Sequence, residues 1–264
     1  MSAYNEPKRL AEFLLKQCLE RGVHLHHPAK AIFVGKDMRN ELSSVRVADL
    51  TSSTETDIPC TRIIITAGAW SALVFKALFR TSDITLPIAS LAGHSLVIKS
   101  PRWVEAMEEK GLHSVYTTSS AGHSPEILAW KGGRLFLGGV NSAEIPLPAL
   151  ATQSKVLGPS VEELKQIAAE LLASETGHTD YEIVRQSLCF RPVTPWGLPI
   201  IAGIPDEHLG IAMGTRPGEE GGVFVAAGHG PWGISMSLGT GKVLAELVQG
   251  REPSADISHL GLRQ

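Results

Sequence analysis

The sequence predicts an α/β protein, α+β overall, in which an incomplete parallel layer is interrupted by an inserted, mostly antiparallel sheet. Three observations carry this. In "TRIIITAGAW" a continuous β-branched run, residues 63–66, turns sharply at Ala67-Gly68, which suits a strand buried on both faces. Near the C-terminus "GVFVAAGHG" repeats that style of apolar run followed by glycine. Between the two, "SLAGHSLVIKS", "HSVYTT", "PEILAW" and "RLFLGGV" read as short strands separated by Gly, Ser and Pro turns. Residues 1–85 and 191–264 are assigned to the first layer and residues 86–190 to the inserted sheet.

The elements follow in order. Residues 7–21 place Leu10, Phe13, Leu14, Gln17 and Cys18 along one helical face, and Gly22 stands where a helix stops. "VHLHH" and "KAIFVG" read as strands, and "SSVRVADL" alternates with period two. Within the insert, "SVEELKQIAAELLAS" predicts a helix with Ser160 as N-cap and Glu163 at the capping-box position. Its apolar stripe is Leu164, Ile167, Ala168, Leu171 and Leu172. "CFRPVTPWGLPIIAG" and "LGIAMG" return to the strand-then-glycine style, "GVFVAAGHG" supplies the last strand, and residues 234–249 the closing helix.

Composition narrows the class of function. With 43% hydrophobic and 19% charged residues, the 264-residue chain has the balance of an ordinary globular protein. A net charge of -3 gives no reason to expect nucleic acid or an anionic membrane as partner. Cys18, Cys60 and Cys189 are far apart and form no C-x-x-C pair, which argues against a disulfide framework or a zinc site. The opening residues lack the apolar core of a secretory signal, and no run approaches the roughly 20 apolar residues of a membrane span. The expected location is cytoplasmic.

Four motifs bear on chemistry, and each has a plainer reading. Gly228-His229-Gly230-Pro231-Trp232-Gly233 spells G-x-G-x-x-G, but only "REPSADISHLGLRQ" follows Gly250, with no second strand for a dinucleotide unit. What survives is the physics of a glycine turn opening a helix, whose free N–H groups face an electron-rich group. "GTGK" fails as a P-loop because Val243 follows Lys242. His24 and His26 share a strand face but nothing nearby completes a metal set, so no metal is expected. Arg191, between a strand end and two prolines, suits a bidentate fork to a carboxylate; the alternative is a structural ion pair, and the two stay open.

Taken together, "GVHLHHPAKAIFVG", "IIITAGAWS", "CFRPVTPWGLPIIAG" and "AAGHGPWGISMSLGTGKVLAELVQG" resemble the D-amino-acid oxidase-like (DAO) FAD-dependent oxidoreductases, the group with glycine and sarcosine oxidases. The closing G-H-x-x-W-G-I form is most similar to fungal-type members. The resemblance implies an incomplete Rossmann-like FAD-binding layer with an inserted antiparallel substrate domain. It also implies oxidation of a C–N bond in an amine or amino acid, by hydride transfer to flavin and with oxygen as acceptor.

By the same resemblance His229, Gly230, Pro231, Trp232, Gly233 and Ile234 line the isoalloxazine. Ala31 meets the adenine, and Ala67, Gly68 and Trp70 stand at the strand-end turn beside the cofactor. Arg191 holds the substrate carboxylate. Cys189 lies where sarcosine oxidase-like members attach flavin; the plainer reading is a small buried hydrophobe.

The sequence also departs from the family. Relatives open with a βαβ unit carrying their own G-x-G-x-x-G, whereas residues 1–60 here contain only Gly22 and Gly35. A chain truncated at its N-terminus is therefore expected, and the alternative function is a degenerate, non-catalytic member that no longer binds FAD tightly. Pro231 stands where glycine oxidase-like members carry a second arginine, and Trp196 replaces the acid of a T-P-D-G turn.

Overall fold

A computed structural model describes residues 7–118, 124–172 and 180–263. Helix α1 spans Pro7–Glu20 and ends where Gly22 takes φ +84, the left-handed turn that glycine adopts without penalty. None of its residues is buried, and Phe13 is 58% exposed. The segment "VHLHH" is not a strand. Strand β1 (Ala29–Lys36) begins only after Pro28, which has no N–H to donate. Its partner β2 (Leu42–Asp49) runs out opposite Ala29, so the histidines have nothing to pair with. Strand β3 (Glu55–Pro59) completes a three-stranded antiparallel sheet in the order β1-β2-β3.

Strand β4 (Arg62–Ile65) leads through a 3-10 turn, Gly68–Trp70, into α2 (Ser71–Leu78). Then come β5 (Ala89–Lys99), the short α3 (Glu105–Glu108), β6 (Ser114–Tyr116), β7 (Glu126–Trp130) and β8 (Arg134–Ser142). Helix α4 spans Gly158–Leu172, so it starts two residues before the expected cap, and Ser160 sits inside the first turn. Pro159 explains the early start, because a fixed φ and a missing N–H cost nothing there. Val161, Leu164, Ile167 and Ala168 are its buried stripe, while Leu171 is 41% exposed. Residues 173–174 of the expected helix lie outside the described residues.

Strand β9 (Glu182–Val193), β10 (Ile200–Ile204), β11 (Gly222–Ala227) and α5 (Gly233–Val248) complete the chain. "LGIAMG" is a turn rather than a strand, because Gly210 at φ +108 and Ala212 at φ +50 cannot continue an extended backbone. It keeps one isolated bridge, Gly214 to Glu41.

The chain forms two compact units, Met1–Ala89 with Pro192–Gln264, and Ser90–Arg191. The first is built on a sheet in the order β10-β11-β4. Strands β11 and β4 are parallel, with Val223 opposite Ile63 and Val225 opposite Ile65; β10 is antiparallel to β11. One face of this sheet packs Ile63, Ile65, Val223 and Val225 against Phe75 and Leu78 of α2 and Val34 and Leu42 of the β1–β3 sheet. The other packs Ile201, Phe224 and Ala226 against Val243 and Leu244 of α5. Each large aliphatic or aromatic side chain sealed here contributes about 1.5–3 kcal/mol. Ile64, aligned with Phe224 on the edge strand, stays 45% exposed.

The second unit is a five-stranded sheet in the order β6-β7-β8-β5-β9, with α4 laid over one face. Leu96, Ile98, Leu135, Leu137 and Ala129 meet the α4 stripe. His94, only 1% exposed, accepts a hydrogen bond at Nε2 from the backbone N–H of Leu157, 3.2 Å away, just before α4.

Burial holds the His94 imidazole below its ordinary value of 6.5, and it does the same to His229. Both rings stay neutral in the fold while the unfolded chain binds protons near 6.5. Stability is therefore full above that pH and falls as pH drops toward the depressed folded values. Asp37, Asp49, Asp57, Glu246 and Asp256 are lowered carboxylates, whose contribution is lost in a separate, more acidic window. Urea unfolding at pH 7.5 and 5.5 is expected to show lower stability at 5.5, with most of the slope removed in the double variant His94→Leu, His229→Leu.

Candidate functional site

Two constellations stand out, one in each unit. In the first unit the parallel pairing of β4 and β11 brings two sequence-distant turns to the same end of the sheet. Both are built alike. After β4 come Ala67, Gly68 at φ +55, a 3-10 turn ending at Trp70, and α2. After β11 come Gly228 at φ +90, His229, Gly230 at φ +56, a 3-10 turn ending at Trp232, and α5. Positive φ at each glycine lets the chain reverse from strand into helix within a few residues.

Neither α2 nor α5 has a capping side chain or an acid in its first turn. The N–H groups of Ser71 and Trp232 bond inside the turns, to Gly68 O and His229 O, and no side chain offsets the positive end of either helix. Ser71, the first residue of α2, is fully buried, and its hydroxyl has no hydrogen-bond partner. A group aligned at the strand ends would find two positive helix ends and open backbone: a Cβ on Gly68 would meet nothing within 4 Å, and one on Gly230 only Val193 Cγ1 at 4.0 Å. Trp232 and Ile234 lie at the same turn, 59% and 49% exposed. The His229 ring is fixed through Nε2, 2.9 Å from the Thr240 hydroxyl. This donor set suits a flat, electron-rich ring system that gains negative charge.

Among the predicted contacts, Ala67, Gly68, Trp70 and His229 to Ile234 are thus brought together. Ala31 is not on this sheet; it lies on β1 at a bulge and packs partly against the core below. No second cradle for a phosphate opens a helix in residues 7–60: Gly22 follows the end of α1 and Gly35 lies within β1. The "GTGK" residues lie inside α5 as ordinary helix. Trp196 sits in the turn closed by Gly197 N–H to Thr194 O, with the Arg263 guanidinium 5.4 Å above its ring.

In the second unit the Arg191 side chain lies across its own sheet. It leaves β9, crosses β5 at Gly93, donates from Nη1 to Asn141 Oδ1 of β8 at 2.6 Å, and brings Nη2 to 4.0 Å from Glu126 Oε1 of β7. Gly93 and Asn141 are register partners, as are Glu126 and Gly138. Strand alternation puts these residues on the face away from α4. Gly93 leaves the space that the Arg191 guanidinium occupies, since a Cβ there would fall onto Arg191 Nη1. The Arg191 and Glu126 side chains keep 20% and 32% of their surface open, so the pair is reachable by a ligand.

Of the two sequence readings of Arg191, the acid partner is thus present, and the guanidinium is accessible as well. Cys189 is exposed, not the buried hydrophobe expected, because β9 is the edge strand of its sheet; its thiol donates to Gly93 O at 3.5 Å. Glu126, Asn141 and Ser71 went unread in the sequence. The one available signal was Gly93, a glycine inside a strand pattern, which marks close approach of another group.

Comparison with known proteins gives the family and the fold. The family profile described as DAO, FAD dependent oxidoreductase, matches residues 2–247. A D-amino acid dehydrogenase of Methylobacterium radiotolerans is 30% identical over 187 residues, 70% of this chain and 37% of that protein. Glycine oxidase from Geobacillus kaustophilus shares the fold with a TM-score of 0.65 and 22% identity, over 97% of this chain and 57% of that one. Iminodiacetate oxidase from Chelativorans sp. BNC1 aligns with a TM-score of 0.66 and 18% identity, over 96% and 57%. The chain spans 34% and 45% of the length of two fungal relatives, from Saccharomyces cerevisiae and Schizosaccharomyces pombe. Among the described residues no helix is long and apolar enough to cross a membrane.

Proposed function

The chain belongs to the DAO family of FAD-dependent oxidoreductases, and from that premise we propose that it oxidises a C–N bond of an amine or amino acid. The observation that carries this is the parallel pairing of β4 with β11, which aligns the two glycine turns at one sheet end. FAD, the family's cofactor, supplies the hydride acceptor when bound. The turns Ala67–Trp70 and His229–Ile234 would hold the isoalloxazine, and the uncapped N–H groups of α5 would stabilise the negative charge of its reduced form. Arg191 would orient a substrate carboxylate, and hydride would leave the carbon next to nitrogen once the amine has lost its extra proton to solvent. Oxygen is the proposed electron acceptor. The alternative is a non-catalytic family member that no longer binds FAD tightly.

Titration of FAD into the purified protein tests the assignment. The expected result is a shifted flavin absorbance band and quenched flavin fluorescence, both reversed by excess riboflavin because the contacts are at the ring. A flavin spectrum that the protein leaves untouched would overturn it and favour the non-catalytic reading.

A further inference from the structure

The carboxylate-holding role of Arg191 leaves one group at that place unexplained. Glu126 stands 4.0 Å from the guanidinium, on the same sheet face and open to solvent. A lone arginine attracts any carboxylate. An arginine with an acid beside it does not: the incoming anion meets Glu126 as well, and like charges at such a distance repel. The pair is no surface accident of two long, mobile side chains. Arg191 is held by Asn141 at 2.6 Å and by the absence of a side chain at Gly93, while Gly138 opposite Glu126 leaves room for the carboxylate, a Cβ there falling 3.2 Å from Glu126 Oε1. Two glycines and an asparagine therefore set a fixed plus–minus pair across four strands.

From this, and resting on the function proposed above, we infer that Glu126 is a specificity-determining residue. It reserves Arg191 for ligands whose carboxylate is accompanied by a cationic nitrogen, and it turns away plain monocarboxylates and dicarboxylates. A zwitterion satisfies both ends, its carboxylate on the guanidinium and its ammonium on Glu126, without leaving either charge opposed. The substrate class so selected is amino acids that arrive as zwitterions, in preference to amines lacking a carboxylate or amino diacids.

The test uses binding, read by calorimetry on the full chain in a carboxylate-free buffer at low salt, with glycine, acetate and succinate as probes. Wild-type protein is expected to prefer glycine. Glu126→Gln is expected to raise acetate and succinate affinity and lower that of glycine, shifting the glycine-to-acetate ratio about tenfold or more, as charge-assisted contacts are exchanged. Glu126→Asp, which keeps the charge, is expected to retain the preference, and raised salt to shrink it.

An unchanged ratio in Glu126→Gln, with binding still lost in Arg191→Met, overturns this inference and leaves the carboxylate role of Arg191 standing. A parallel fall of all three probes in Glu126→Gln also overturns it, since a purely structural residue would act that way. Probe binding that ignores Arg191→Met, or is absent in the wild type, overturns both.

Discussion

Gly228→Ala is expected to be the most destabilising single-methyl change at the turn after β11, by about 3 kcal/mol. Two costs add. Gly228 has φ +90, where a residue with a Cβ loses roughly 1–2 kcal/mol. The new methyl would also lie 2.6 Å from Thr194 Cγ2, and overpacking of this kind costs about 1–3 kcal/mol. Thr194 cannot rotate away freely, because its hydroxyl donates to Leu198 O at 2.6 Å. Gly68→Ala is the control, with φ +55 but nothing within 4 Å of its Cβ. It isolates the backbone cost. Urea midpoints at unchanged m-values should separate the two variants clearly; equal losses would mean that the Thr194 contact does not govern the turn. Flavin binding is expected to fail in Gly228→Ala as well, since the turn it opens is the proposed ring contact.

Arg191→Lys is expected to weaken glycine binding by on the order of 10- to 100-fold, because a hydrogen bond to a charged group is worth about 1.5–3 kcal/mol. The substitution keeps the charge and loses the planar fork. In the wild type that fork is committed at one corner to Asn141 Oδ1, which fixes the orientation of the rest. A lysine ammonium is a single point that cannot hold Asn141 and a carboxylate in the same geometry. On flavin-loaded enzyme the loss should appear chiefly in KM, the mark of binding shared by ground and transition states. Gly93→Ala offers an independent route to the same outcome, since its methyl would displace Nη1 while Arg191 itself remains. Glycine affinity that survives both variants would remove Arg191 from the site.

The legible parts of the fold share a physical cause. The runs around Ile65 and Phe224 were readable as buried strands ending in glycine, and they are β4 and β11. Continuous β-branched stretches and glycine turns are local signals that hold in any context. Helix α5 was readable for the same reason. The failures came where a local pattern lacked a partner. "VHLHH" has strand-like alternation, but β2 ends before reaching it. "LGIAMG" has apolar residues, but Ala212 and Gly210 take positive φ. Ser160 looked like a cap, and Pro159 moved the helix start ahead of it.

What the sequence determined by itself was which faces are apolar, where the chain must turn, and that the second glycine turn opens a helix. Those properties are set by neighbours within a few residues. What the tertiary structure alone decided was lateral alignment: that β4 lies beside β11, and that Arg191 on β9 reaches over Gly93 to Asn141 and Glu126 of two further strands. Period-two alternation tells a side chain which face it occupies but not which residue of another strand will stand opposite. That choice belongs to sheet order and register, which are fixed only when loops close and both faces of the sheet are packed.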